Sequence, residues 1–296
     1  GGIYEETALM AALESGKVAS IGVDVYPKEP CTESPLFGVD CVVATPHLGA
    51  STLEAQDKAG ITIAEQVVAG LSGEFVGNAV NIAPVPSDVA EKLQPFIPLC
   101  QQLGKVLVQM LEDPLEQVEI EYNGQIADYD TGLLTSAVLV GAFQTVASEP
   151  VNFVNATLVA EERGITIKKS TQSTSKDYVN LVTVRSVGNS HSVAVAGTLI
   201  GKKNEPRFVK MLDFEIDIAP SKYMAFFRYK DVPGMIGKVG TLLGAEGINI
   251  ASMQVGRKKI QGDAVMGLNV DSPIPSEMLS KIMKEAGIGW ARAIIL

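Results

Sequence analysis

Cysteine, histidine and tryptophan are scarce in this 296-residue sequence, which holds three Cys, two His and one Trp. Cys31, Cys41 and Cys100 are odd in number and have no paired metal-ligand spacing, so neither a disulfide framework nor a metal site is expected, and a reducing, cytoplasmic setting fits. Positive charge is in deficit as well. With 24 Lys and Arg against 34 Asp and Glu the formal charge is −10, and an acidic chain without a basic face is a poor partner for a nucleic-acid backbone. A long hydrophobic run is also missing. The longest uncharged stretch, Thr131 to Ser148, is interrupted by Gln144 and by several Ser and Thr, so it reads as a buried helix and not a bilayer span. No basic start leads into an apolar signal segment, and no membrane partner is expected.

What remains is an ordinary globular composition, 46% apolar, whose length suggests two domains and whose shifts in composition allow three smaller ones. Residues 5–15 read as a helix closed by Gly16. Val18–Val25 is an apolar, β-branched run stopped by Pro27, and Asp40–Thr45 is a second run stopped by Pro46. Ser51-x-x-Glu54 has the form of a capping box opening a long helix, with Ile63, Ala64, Val67, Val68 and Leu71 on one face and Gly73 at its end. Near-continuous apolar strands followed by a helix are the pattern of a parallel α/β sheet.

Residues 1–77 are therefore read as the end of a Rossmann-like domain, and the proline-rich stretch 78–98 as a crossing, with Asn81–Pro86 a candidate hinge. Residues 99–220 follow as an α+β domain. It has helical stretches near 88–112, 131–147 and 155–163, then strand-like runs at 165–170, 179–187, 193–200 and 207–218. Residues 221–296 give the order βαββαβ: a strand at Lys222–Tyr229, a helix lined by Met235, Ile236, Val239, Leu242 and Leu243, strands at Ile248–Gly256 and Ala264–Asp271, a helix lined by Met278, Leu279, Ile282 and Met283, and a strand at Ala291–Leu296. That is the ferredoxin-like plan.

Three groups of residues could carry chemistry. Asp24, Glu29 and His47 each end or closely follow a strand of the first block, so they gather at the carboxyl edge of the sheet, where open α/β folds place ligands. A histidine with a carboxylate partner is a proton acceptor of fixed tautomer; the bland alternative is a surface histidine beside a surface glutamate. In the last block Tyr229, Asp231, the Pro233-Gly234 helix start and Asn249 could hold a small amino acid, or Asp231 could simply be the N-cap of that helix. Lys202, Lys203, Arg207 and Lys210 form a small basic cluster, readable as a solvated loop, while His191 reads as a loop residue and Trp290 as packing.

The stretch Gly22-Val23-Asp24-Val25-Tyr26-Pro27-Lys28-Glu29-Pro30, followed by Thr45-Pro46-His47-Leu48-Gly49-Ala50-Ser51-Thr52, resembles the signature of the NAD-dependent D-2-hydroxyacid dehydrogenases. With the two later blocks, the chain resembles the long-form branch of that family, which oxidises D-3-phosphoglycerate to 3-phosphohydroxypyruvate on the way to L-serine and carries an intervening regulatory domain and a terminal ACT domain. The resemblance implies that His47 is the general acid/base, that Glu29 hydrogen-bonds it, that Asp24 contacts the nicotinamide carboxamide, and that the backbone of His47, Leu48, Gly49 and Ala50 borders NAD. It further implies an L-serine effector site at Tyr229, Asp231 and Asn249, an anion site including Arg207, and a homo-oligomer built through the ACT and intervening domains.

Two of the family's parts are not in this sequence. One is the substrate-carboxylate arginine, which stands immediately before the opening Gly-Gly in the family, and the other is a Gly-x-Gly-x-x-Gly turn between strand and helix. The nearest pattern, Gly234-x-x-Gly237-x-x-Gly240, has another spacing and lies in the last block. The expectation is a carboxyl-terminal portion, inactive alone. The alternatives are a non-catalytic, amino-acid-sensing regulatory protein and a dehydrogenase of another D-2-hydroxy acid.

Overall fold

The computed structural model describes residues 2–72, 76, 78–81, 87–144, 146–147, 149–188 and 192–296. The expected hinge at Asn81–Pro86 lies almost wholly outside them, as do Gly73 and His191. The chain divides after Val76 into two compact units.

The first unit starts with α1 (Glu6–Glu14), which ends at Gly16. Strands β1 (Ile21–Val23) and β2 (Val42–Ala44) follow and pair in parallel, Ile21 opposite Val42 and Val23 opposite Ala44. Both are much shorter than the apolar runs that suggested them. Beyond Val23 the polar groups of residues 24–29 and 45–49 bond to each other instead of extending the ladder. Val23, Tyr26 and Leu36 are buried, with Tyr4, Leu9 and Met10 packed around them. Helix α2 (Leu53–Leu71) is capped by Thr52, whose hydroxyl accepts from the Ala55 amide at 3.2 Å. The Ser51–Glu54 capping box is thus corrected by one residue: with the helix starting at Leu53, the third helical position is Ala55, and Glu54 is too early to reach back. The apolar stripe of α2 covers nothing within this unit, and Ile63, Val67, Val68 and Leu71 are all exposed.

The second unit holds two sheets. The expected helix 88–112 is two helices, α3 (Ser87–Leu93) and α4 (Phe96–Met110), broken around Pro95. Helix α4 buries Leu99, Cys100, Leu103, Val106, Leu107 and Met110, the i, i+3, i+4 spacing of one helix face. Burial pushes the Cys100 thiol well above its usual range, so it is an inert core group. After α4 comes β3 (Gln117–Gly124), a strand missing from the expected elements, although Val118, Ile120 and Tyr122 alternate strictly with polar residues. Helix α5 (Gly132–Phe143) is buried on every side, as expected of an apolar stretch without a polar face.

Then come α6 (Ala156–Glu162), β4 (Thr166–Gln172), β5 (Asn180–Val187) and β6 (Val193–Ile200). The run expected at 207–218 is two strands, β7 (Glu205–Met211) and β8 (Phe214–Ile218), because Leu212 and Asp213 turn the chain with φ of 48° and 63°. The six strands are ordered β4-β3-β5-β6-β7-β8. Helices α4 and α5 meet through two glycines: a Cβ on Gly104 would stand 2.0 Å from the Val138 carbonyl oxygen, and one on Gly141 would stand 1.9 Å from that of Gln101.

The last sheet realises the βαββαβ plan. Its elements are β9 (Tyr223–Lys230), α7 (Met235–Ala245), β10 (Ile250–Arg257), β11 (Asp263–Val270), α8 (Ser276–Ala286) and β12 (Trp290–Ile295), with strand order β10-β11-β9-β12. Phe227, Val239, Leu243, Met266 and Ile282 form its core. The two sheets of this unit pack directly. Gly256 of β10 lies so close to β8 that a Cβ would stand 2.1 Å from the Glu215 carbonyl oxygen, and Gln109 of α4 bonds both the amide and the carbonyl of Ile295 at 2.9 and 3.0 Å. Among the described residues, no helix is long and apolar enough to cross a membrane.

Candidate active site

Parallel pairing brings the carboxyl ends of β1 and β2 side by side, so Asp24 and Thr45 leave the sheet together. Asp24 Oδ1 accepts from the Thr45 hydroxyl and from the Leu48 amide, both at 2.6 Å, and Oδ2 accepts from the Gly49 amide at 2.7 Å. These three donors, the Thr45 hydroxyl first, hold the Asp24 carboxyl below its ordinary range. One side chain thereby ties down the whole turn. Within it His47 takes a left-handed φ of 56°, a strain of about 1–2 kcal/mol for a residue with a side chain. A Cβ on Gly49 would stand 3.0 Å from Asp24 Oδ2, so the residue there has to be small.

The turn aims His47 at Glu29. Their Nδ1 and Oε2 atoms are 2.7 Å apart, while Glu29 Oε1 accepts from the Tyr26 amide at 2.9 Å. The Tyr26 amide first, then the His47 hydrogen bond, holds the Glu29 carboxyl below its usual range. An ionised Glu29 accepts a hydrogen bond from Nδ1–H, so Nε2 is left with the lone pair. The His47 side chain is 55% exposed, so Nε2 is open to a small substrate. The structure therefore brings Asp24, Glu29 and His47 together, as their places at the strand ends suggested.

Three supporting residues carry no role in the sequence reading. Thr45 donates to Asp24; the buried Tyr26 hydroxyl bonds the Thr45 carbonyl oxygen at 3.3 Å; and the Tyr4 hydroxyl bonds the Val25 carbonyl oxygen. Thr45 and Tyr26 stand inside the signature stretches, where position next to Pro46 and Pro27 was the available signal.

Leu48, Gly49 and Ala50 are exposed along the same edge. A carboxylate offers about four acceptor positions, and the three donors on Asp24 leave one for a further N–H. That free acceptor position fits the carboxamide N–H of a nicotinamide.

The second candidate site is not assembled in the same way. Tyr229, Asp231, Pro233, Gly234, Met235 and Arg257 line a cavity of about 570 Å³ at the start of α7. Asp231 is not the N-cap of that helix: Gly234 occupies the cap with φ 91°, and the Asp231 carboxylate pairs with Arg257 at 3.1 Å. Arg257 was not among the expected residues. Asn249 lies outside the cavity lining and donates to Asp271 at 2.7 Å. Burial and the nearby Asp231 raise the Tyr229 hydroxyl pKa. Arg207 stands 3.3 Å from Asp217, and Lys202 and Lys203 are exposed in the turn before β7.

Comparison with known proteins defines the class first. Residues 1–49 match the D-isomer specific 2-hydroxyacid dehydrogenase NAD-binding domain, 92–212 the D-3-phosphoglycerate dehydrogenase intervening domain, and 223–287 the ACT domain. The three matched segments thus resemble domains found in the D-2-hydroxyacid dehydrogenase family. The chain is 38% identical to a D-3-phosphoglycerate dehydrogenase of Synechocystis over its whole length, 38% to one of Methanocaldococcus jannaschii over 95% of it, and 41% to one of Mycobacterium leprae over 96% of it. It spans 53% of each of these relatives, about half their length.

Proposed function

We propose that this chain contributes the acid/base centre and the regulatory domains of an NAD-dependent, cytoplasmic D-3-phosphoglycerate dehydrogenase that produces 3-phosphohydroxypyruvate. The observation that carries the reading is the 2.7 Å contact of His47 Nδ1 with a Glu29 carboxylate that is itself braced by the Tyr26 amide. His47 Nε2 takes the proton from the substrate C2 hydroxyl, and Glu29 stabilises the imidazolium that results. Asp24 fixes the turn that presents the imidazole, and its remaining acceptor position would hold the carboxamide of NAD, which would supply the acceptor for the hydride lost from C2. The exposed backbone of His47, Leu48, Gly49 and Ala50 borders the cofactor.

The ACT sheet supplies the regulation in this reading. L-serine occupies the cavity at the start of α7, its ammonium on Asp231 in place of Arg257 and its carboxylate near the first amides of the helix. Asn249 does not line this cavity within one chain, which supports a site completed by Asn249 of a second copy and hence a homo-oligomer. Arg207 of β7 is the candidate anion site, where an anion competes with its partner Asp217.

The test is kinetic, on the native protein at the length the cell makes it. Reduction of NAD with D-3-phosphoglycerate, lowered about 10²–10⁴-fold by His47→Ala with little change in NAD affinity, supports the assignment. Normal turnover in that variant removes His47 from the mechanism. Equal turnover of several 2-hydroxy acids without the phosphate overturns the substrate.

A further inference from the structure

A second cavity of about 570 Å³ lies between the two sheets of the second unit, away from the Asp231 pocket except for a shared wall at Tyr229. One wall is the connection from α4 to β3 with the ends of β5 and β6, and the other is the face of β9 and β11 with Trp290. The walls are held at a fixed spacing. Gln109 bonds both backbone groups of Ile295, and Glu112 pairs with Arg292 at 2.8 Å. The Arg292 guanidinium lies over the Trp290 ring at 5.5 Å and sets its orientation.

The walls carry opposite charge. Asp113 and Glu116 on the first have no ion-pair partner among the described residues. On the second, Arg228 and Lys230 share the single carboxylate of Asp263, which leaves one cation in surplus. Met110, Leu115, Val193, Leu212 and Trp290 give the space between an apolar lining. The volume lies within the range of about 300–1,000 Å³ usual for small-molecule sites. A zwitterion with its two charges at opposite ends and an apolar part between them complements this lining.

We propose that this interdomain cavity is a binding site for a peptide-sized amphipathic zwitterion, its ammonium on Asp113 and Glu116, its carboxylate on Arg228 and Lys230, and an apolar side chain against Trp290. The site is independent of the acid/base chemistry at His47 and of the serine site.

Trp290 is the sole tryptophan, so fluorescence excited where tyrosine absorbs little reports on this wall alone. The 296-residue chain is titrated with the dipeptide L-phenylalanyl-L-leucine, with its N-acetylated form, which lacks the ammonium, and with its C-terminal amide, which lacks the carboxylate. The expected result is a saturable change with the free dipeptide, weakened at least about tenfold by either cap and by Glu116→Gln or Arg228→Gln, both at exposed positions. The response persists in Asp231→Asn and Asn249→Ala. No saturable change up to about 10 mM, equal binding of the capped forms, or loss of the response in Asn249→Ala would each overturn the proposal.

Discussion

The two candidate sites differ in how far one chain completes them. Asp24, Glu29 and His47 form a closed network: every carboxylate oxygen named there accepts a hydrogen bond, and the imidazole is held at one nitrogen and open at the other. Tyr229, Asp231 and Asn249 are dispersed, with Asp231 engaged by Arg257 and Asn249 engaged by Asp271. The surroundings differ in the opposite sense. The first site rests on a two-stranded sheet over a cluster of three buried side chains, while the second grows from a sheet with a large apolar core. Short-range hydrogen bonds between adjacent strand ends position the first site's side chains.

The sharpest way to separate the sites is to remove one residue from each in the native protein. His47→Ala is expected to lower turnover about 10²–10⁴-fold and leave serine inhibition of the residual rate intact. Asn249→Ala is expected to do the reverse, and steady-state kinetics with and without serine reads both. If both variants change the same parameter, the division is wrong. The next effect tests the cores. Gly141→Val drives a side chain into the Gln101 carbonyl, which a Cβ alone would approach to 1.9 Å, and should destabilise the second unit by about 3 kcal/mol in urea. His47 resonances should be unchanged in that variant below the transition.

Smaller effects probe the polar network. Glu29 has a carboxyl pKa lower in the folded chain than its ordinary value. Its contribution to stability is complete above the ordinary carboxylate pKa and is lost as pH falls through the folded value. Acidification across that window should loosen the first unit, and Glu29→Gln should flatten that part of the profile, as followed by His47 chemical shifts. Smallest is Thr45→Val. It removes one of the three donors to Asp24 and should raise the Asp24 carboxyl pKa towards its ordinary value in a carboxyl NMR titration.

Much of this was legible in the sequence because the signals are local. Strand-ending Pro46 and helix-ending Gly16 fix boundaries directly, and the βαββαβ block shows its amphipathic faces at the expected spacings. The pairing of Glu29 with His47 was readable because both follow strands that had to be neighbours. What the sequence concealed depends on geometry finer than pattern. The register of the α2 cap turns on whether the helix starts at Glu54 or at Leu53, and a capping-box spacing was satisfied by chance one residue early. β3 was passed over because two helical stretches flank it, although its alternation is strict. The role of Thr45 and the partnership of Asp231 with Arg257 come from strand register, which no single stretch of residues reveals.

The central claim is that Glu29 holds Nδ1 of His47 and leaves Nε2 as the proton acceptor. The direct measurement is ¹⁵N NMR of the imidazole in the chain labelled at histidine, with His191→Gln to leave His47 as the only histidine. The account predicts that neutral His47 is the Nδ1–H tautomer with an unprotonated Nε2, and that Glu29→Gln shifts this population. A predominant Nε2–H tautomer, or the mixture of a free imidazole unchanged by Glu29→Gln, would contradict it.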